Sequence, residues 1–188
     1  GDYAHAHGNF QSGSVSILAK DVVNVDEKVK VRTGGGIPVS AGYITINANT
    51  NTNTEISNSD ITTKDDYIYF LANAFVDLHS KSDVKASGGI ATAKGDSDTI
   101  LASTNSKVHA TSTAKSESGR DTFVEAFSDR TLLAEIYSET HGAIGVVGSS
   151  EASAKNKASH SSIVIDSGAY LKAKESMNLA VANSKSNI

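Results

Sequence analysis

Two of the six histidines in this sequence, His5 and His7, stand one residue apart. In an extended segment alternate side chains share a side, so the pair has the minimal geometry of a metal clip. No third ligand lies nearby in the chain, and we expect no metal there. His79, His109, His141 and His160 are scattered and are expected to be solvated. Gly95-Asp96-Ser97-Asp98 resembles the opening of a calcium loop, in which alternating carboxylates face one cation. Ile100 and Leu101 stand where further oxygen ligands would follow, so a polar turn is expected. Asp60, Asp65 and Asp66 beside Lys64 offer carboxylates for acid–base or calcium chemistry of the polysaccharide-lyase kind, but no such group recurs elsewhere. Gly34-Gly35-Gly36 and Gly88-Gly89 lack the Lys-Ser/Thr of a phosphate loop and read as turns. Ser149 and Ser150, with His141 and Glu139, lack the Gly-x-Ser-x-Gly of a nucleophile elbow. The expectation is a chain that is not an enzyme, with no catalytic residue, no cofactor and no metal site. Tyr67, Tyr69 and Phe70 form the densest aromatic cluster, and on an alternating strand at least one ring must face outward. These three are the candidates for contact with a sugar or a protein.

The elements that would carry such residues must be built from small side chains. Hydrophobic residues make up 38% of the 188 and aromatics 6%, with no Trp, one Met and one Pro. A core of Val, Ile, Leu and Ala is therefore expected, and it would be narrow. The net charge of −4 is spread over both signs, with no basic stripe to hold nucleic acid. Cysteine is absent, which excludes disulfides and thiolate metal sites. No stretch approaches the roughly 20 apolar residues of a membrane helix. The sequence opens at Gly1 and stops at Ile188 in mid-pattern, so we expect a single segment, 1–188, excised from a longer chain.

Self-similarity is the main signal. Gly34-Gly35-Gly36-Ile37, Ser87-Gly88-Gly89-Ile90 and His141-Gly142-Ala143-Ile144 are spaced by 53 and then 54 residues. The basic-acidic pairs Lys64-Asp65, Arg120-Asp121 and Lys174-Glu175 follow those isoleucines by 27, 30 and 30 residues, each before an apolar run. Aligned on those runs, Glu125 falls where the neighbouring copies place Tyr69 and Leu179. The repeats are approximately 34–86, 87–140 and 141–188. Within them the apolar period is 2: Val29 and Val31 alternate with Lys28, Lys30 and Arg32, and Ile44 and Ile46 alternate with Tyr43 and Thr45. Ala/Ser/Thr tracts such as Ala152–Ser159 bury too little for a sandwich strand, yet they pack in rows when coil stacks upon coil. The fold expected is an all-β solenoid of degenerate repeats of about 54 residues. Each repeat fits two coils, or one coil with a long loop at the glycine marker. Ile17, Val23, Val25, Ile44, Ile46, Ile163, Ile165, Leu179 and Val181 are expected to point inward.

The alternating tracts, Ser87-Gly88-Gly89-Ile90-Ala91, and the run from Ile165-Asp166-Ser167-Gly168-Ala169 to Met177-Asn178-Leu179-Ala180-Val181 together resemble the repeats of giant bacterial exoproteins. The class is that of filamentous-haemagglutinin-like and leukotoxin-like adhesins. Lys174-Glu175 departs from the Gly-Gly-Asp usual there. The resemblance covers most of residues 13 to 188 and implies a right-handed parallel β-helix, Gram-negative export, and a secreted or cell-surface location. It further implies virulence-type adhesion or cytotoxicity, with a host-cell surface protein or glycan as partner and neighbouring coils of a parent chain on either side. Two alternatives stand beside it: a carbohydrate-active β-helix, and a surface- or ice-binding threonine ladder at Thr50, Thr52 and Thr54.

Overall fold

The computed structural model describes residues 2–183, the side chains of His7 and Ser12 excepted. The described residues form a parallel β-helix of ten strands in one hydrogen-bonded sheet: β1 (Tyr3–Ser12), β2 (Val15–Gly35), β3 (Val39–Thr63), β4 (Ile68–Ala110), β5 (Ala114–Ser118), β6 (Thr122–Val147), β7 (Glu151–Asn156), β8 (Ser159–Ile165), β9 (Tyr170–Ala173) and β10 (Met177–Asn183). Every pairing is parallel. β2 and β3 make the first coil, β4 and β5 the second, and β6 to β9 the third; β1 lies on the first coil and β10 on the third.

Each repeat is one coil. Val15 pairs with Ile68, Ile68 with Thr122 and Thr122 with Met177. No long loop is extruded at the glycine marker. The chain folds back on itself there, so that Thr33 and Ser40 hydrogen-bond through their hydroxyls, and Ser80 Oγ lies 2.7 Å from both Ser97 Oγ and Thr99 Oγ1. The markers stack: Gly34 on Ser87 on His141, and Gly35 on Gly88 on Gly142. The drift of the period has a local cause. Ala48 pairs with Leu101 but Asn49 with Ser103, so the second coil carries one extra residue, Ala102, as a bulge.

Period 2 decides what is inside. On the outbound arm Ile68, Phe70, Ala72, Ala74, Val76, Leu78, Ser80, Ser82, Val84 and Ala86 are buried. On the return arm Ala91, Ala93, Ser97, Thr99 and Leu101 are buried, and beyond the bulge the parity switches to Thr104, Ser106, Val108 and Ala110. The core is one side chain thick between the arms, and the opposite arm supplies acceptors to several of its short hydroxyl side chains, though Thr50, Thr52 and Thr104 are buried without one among the described residues. Ser82 Oγ donates to Gly42 O at 2.9 Å, Thr99 Oγ1 to Leu133 O at 2.9 Å and Ser106 Oγ to Phe127 O at 2.8 Å. A buried hydroxyl without such an acceptor would cost about 1–3 kcal/mol.

Three expectations change. Thr50, Thr52 and Thr54 are at most 1% exposed, so they line the core and form no outward ladder for ice or a crystal face. Glu125 lies against Leu71 and Ala180, while Tyr69 lies against Phe123 and Leu179 against Val124, so the alignment read in the sequence is off by two residues at Tyr69 and by one at Leu179. Ile165, Leu179 and Val181 occupy inward positions, but among the described residues no further coil covers them, and they are exposed. Of the rest, Ile17, Val23, Val25 and Ile163 pack against the core clusters, and Ile46 is buried within one.

Candidate functional site

Of the three aromatic candidates, Phe70 is fully buried among Ile56, Ile61 and Ile68 and is no surface contact. Tyr67 and Tyr69 are half-buried on the outer face of the outbound arm. Tyr69 stacks on Phe123 of the next coil with ring centroids 5.0 Å apart and planes 7° from parallel. Tyr67 tilts against both, at 6.0 and 6.1 Å, and the Arg120 guanidinium sits 4.7 Å over its ring. The same coil register that sets strand spacing thus sets ring spacing. Ring faces are turned towards one another and towards Arg120, so the cluster fastens coils together. Nearby, Phe75 meets Phe127 at 5.7 Å and Lys20 lies 5.2 Å over Phe75, beside a shallow depression lined by Val22, Asn24, Asp77 and Thr131. A double-mutant cycle of Tyr69→Ala and Phe123→Ala is expected to show a coupling of about 0.5–1.5 kcal/mol in urea denaturation, the range for aromatic pairs. Additive single effects would refute the stack as a coil fastener.

Charged side chains also bridge coils. His79 and His109, expected to be solvated, are half-buried and partnered. His79 lies between Asp26 of the first coil, at 3.3 Å, and Glu135 of the third, at 3.0 Å, and Glu135 also takes Lys81 at 3.0 Å. His109 reaches Asp166 of the third coil at 3.0 Å. Arg32 holds Asp83 at 2.7 Å, with Lys28 at 3.8 Å. Lys85 pairs with Glu139, which also accepts from Tyr137 Oη at 2.8 Å. The hydrogen bond from Arg32 lowers the Asp83 pKa, those from Lys81 and His79 lower that of Glu135, and those from Lys85 and Tyr137 bring Glu139 down to about 2.

These shifts fix an acid limb of stability. A carboxyl whose folded pKa lies below its unfolded value of about 4 binds protons more weakly in the native state, so its stabilisation is present above pH ~4 and is lost as pH falls through the folded pKa. The melting temperature is expected to fall from pH 4 towards pH 2, and the combined Asp83→Asn and Glu139→Gln variant to lose part of that dependence. An unchanged acid limb in that variant would exclude the inter-coil pairs as its source.

The remaining sequence candidates are not gathered into a site. Gly95-Asp96-Ser97-Asp98 is not a turn: it lies within β4, with Ser97 facing the core. Asp96 pairs with Lys94 at 3.3 Å and accepts from Glu151 N at 3.2 Å. Asp66 accepts from Ser14 Oγ at 2.6 Å and from its neighbour Tyr67 N at 2.9 Å, which holds the turn into β4 and lowers the Asp66 pKa. Ser150 Oγ accepts from Gly95 N at 3.1 Å and lies 3.3 Å from Ser138 Oγ, engagements that are no part of a triad with His141. His5 Nε2 lies 2.6 Å from Ser57 Oγ; the side chain of His7 is outside those described. Among the described residues no three His, Cys, Asp or Glu side chains are grouped to hold a metal ion. Sequence reasoning passed over Phe123, Arg120 and the isoleucines of the repeat marker. The signal for Phe123 was present, since it follows Tyr69 by one repeat. No family model matches the chain, and no curated protein or solved structure matches it either.

Proposed function

We propose that this chain is a structural and adhesive segment of a secreted bacterial surface protein, a rod whose outer faces meet a host-cell protein or glycan. The observation that supports this reading is the coil register, Val15 on Ile68 on Thr122 on Met177. One repeat closes one coil, so further repeats extend the rod by about 4.8 Å each without altering its cross-section. Function then lies in outward side chains, repeated along the axis and free to vary without cost to the core. The test is saturable binding of the labelled, purified chain to host cells, repeated after protease or glycosidase treatment of those cells. Binding that a treatment removes is expected. Absence of saturable binding, or cleavage of a polysaccharide by the purified chain, would overturn the reading.

A further inference from the structure

The two long edges of the flattened coil differ in chemistry. At one, the chain turns through Lys64-Asp65-Asp66, Arg120-Asp121 and Lys174-Glu175. At the other it turns through Gly34-Gly35-Gly36-Ile37-Pro38-Val39, Ser87-Gly88-Gly89-Ile90-Ala91-Thr92 and His141-Gly142-Ala143-Ile144-Gly145-Val146-Val147, in which His141 is the single titratable side chain. Ile37, Val39, Ile90, Ile144 and Val146 stand in solvent there, from 44% exposed at Ile90 to 74% at Ile37, whereas Val147 pairs with Ala93 in the inward column. Ile90 pairs with Ile144, and in the neighbouring column Val39 and Val146 flank Thr92, so these side chains form an apolar ridge along the axis with one threonine in it. A solenoid core does not need them, because the inward positions beside the turn are filled by Ala86, Ala91 and Ala93.

Both arms carry the same pair of residues just behind the ridge. On the outbound arm Tyr137 lies under the Lys85 ammonium, 5.0 Å from the ring centroid; on the return arm Tyr43 lies under Lys94 at 5.4 Å. Each tyrosine is four residues from the turn (137 to 141, 39 to 43), about 13 Å along a strand at ~3.3 Å per residue. Rings with a polar tip and long-stemmed cations at that depth suit the headgroup layer, while an apolar tip enters the acyl boundary by roughly 5–10 Å. At the middle coil the backbone of the ridge bonds to its neighbours, whereas the first and third coils are paired there on one side. Ile90 N donates to Gly36 O at 3.1 Å and Thr92 N to Pro38 O at 3.0 Å.

We propose that the Ile37–Ile90–Ile144 edge is a lipid-docking wedge, seated in the surface of a bilayer with Tyr43 and Tyr137 at the headgroups. It does not depend on a protein or glycan receptor, so it stands or falls apart from the adhesive reading above. The seating is mainly apolar, since Glu139 and Asp96 offset Lys85 and Lys94.

The chain has no Trp, so Ile90→Trp places a single reporter on the ridge. With vesicles of phosphatidylcholine, and with vesicles of phosphatidylcholine and phosphatidylserine, its emission is expected to shift to the blue and to be quenched by bromine-labelled acyl chains. In co-flotation of the otherwise unaltered chain, the triple variant Ile37→Ser, Ile90→Ser, Ile144→Ser is expected to bind vesicles at least about tenfold more weakly, a modest claim for three partly buried isoleucines. Lys64→Ser with Lys174→Ser, at the charged edge, should bind as the unaltered chain does. Circular dichroism checks that each variant keeps its strands. Unchanged emission with no quenching would overturn the proposal, as would binding confined to phosphatidylserine vesicles and abolished by salt. So would self-association without vesicles that the triple variant loses, which would give the edge to a second copy.

Discussion

Gly119→Ala is expected to destabilise the fold by about 1–3 kcal/mol or more, the cost of forcing extra atoms into a packed interior. Gly119 sits where the second turn of the charged edge stacks on the first, and a Cβ there would lie 1.9 Å from Lys64 O, 2.2 Å from Lys64 C and 2.5 Å from Asp65 N. All three are backbone atoms, so no side chain can swing away. The strand must lift, but the neighbouring bonds hold it: Gly119 N donates to Thr63 Oγ1 at 3.1 Å and Arg120 N to Asp66 O at 3.1 Å. Relief therefore breaks the ladder that spaces the coils. Gly36 is the control, since a Cβ there meets nothing within 4 Å and its φ lies outside the left-handed region. Gly36→Ala should be neutral, or stabilising by up to about 1 kcal/mol through the unfolded chain. Urea denaturation reads both as shifts of midpoint. A Gly119→Ala midpoint equal to that of Gly36→Ala would show that the coils are not in this close approach.

The coil itself was legible because its two signals are local and redundant. The Gly-Gly-Ile markers fixed the length of the repeat, and alternation such as Val29 and Val31 among lysines fixed which side faces in. What was not legible is what lies next to what across coils. The Ala102 bulge shifts the return arm by one residue without changing the composition around it, and a register error of two residues was enough to place Glu125 opposite Tyr69 and hide the Tyr69–Phe123 stack. Thr50, Thr52 and Thr54 read as a surface ladder because threonine in isolation prefers water, whereas all three line the core: Thr54 Oγ1 donates to Leu71 O of the opposite arm at 2.5 Å, while the Thr50 and Thr52 hydroxyls are buried without a hydrogen-bond partner among the described residues. The histidines fail for the same reason. Asp26 and Glu135 are far from His79 in the chain and become its neighbours only when the coils stack.

Phe70→Ala is expected to cost about 3–5 kcal/mol, the range for removing a buried aromatic, while Leu179→Ala is expected to cost less than about 0.5 kcal/mol, as at an exposed site. The two residues belong to one inward column, in which Ile17 pairs with Phe70, Phe70 with Val124 and Val124 with Leu179. Side-chain direction is therefore the same for all four. What differs is cover: Phe70 has a coil on either side and is 0% exposed, whereas Leu179 stands 55% exposed on β10. Deleting the Phe70 ring removes most of a side chain packed with Ile56, Ile61, Ile68, Val108 and Val124, and the backbone ladder above and below prevents the coils from closing over the gap. In a linear stack each coil is held by its neighbours, so the cost of a truncation follows the number of flanking coils rather than the residue type alone. Thermal or urea melting of the two variants, with Val124→Ala between them, should give that order. Equal losses at Phe70 and Leu179 would mean that cohesion is spread evenly over the coils, and a loss below about 1 kcal/mol at Phe70 would mean that the column is not the centre of the core.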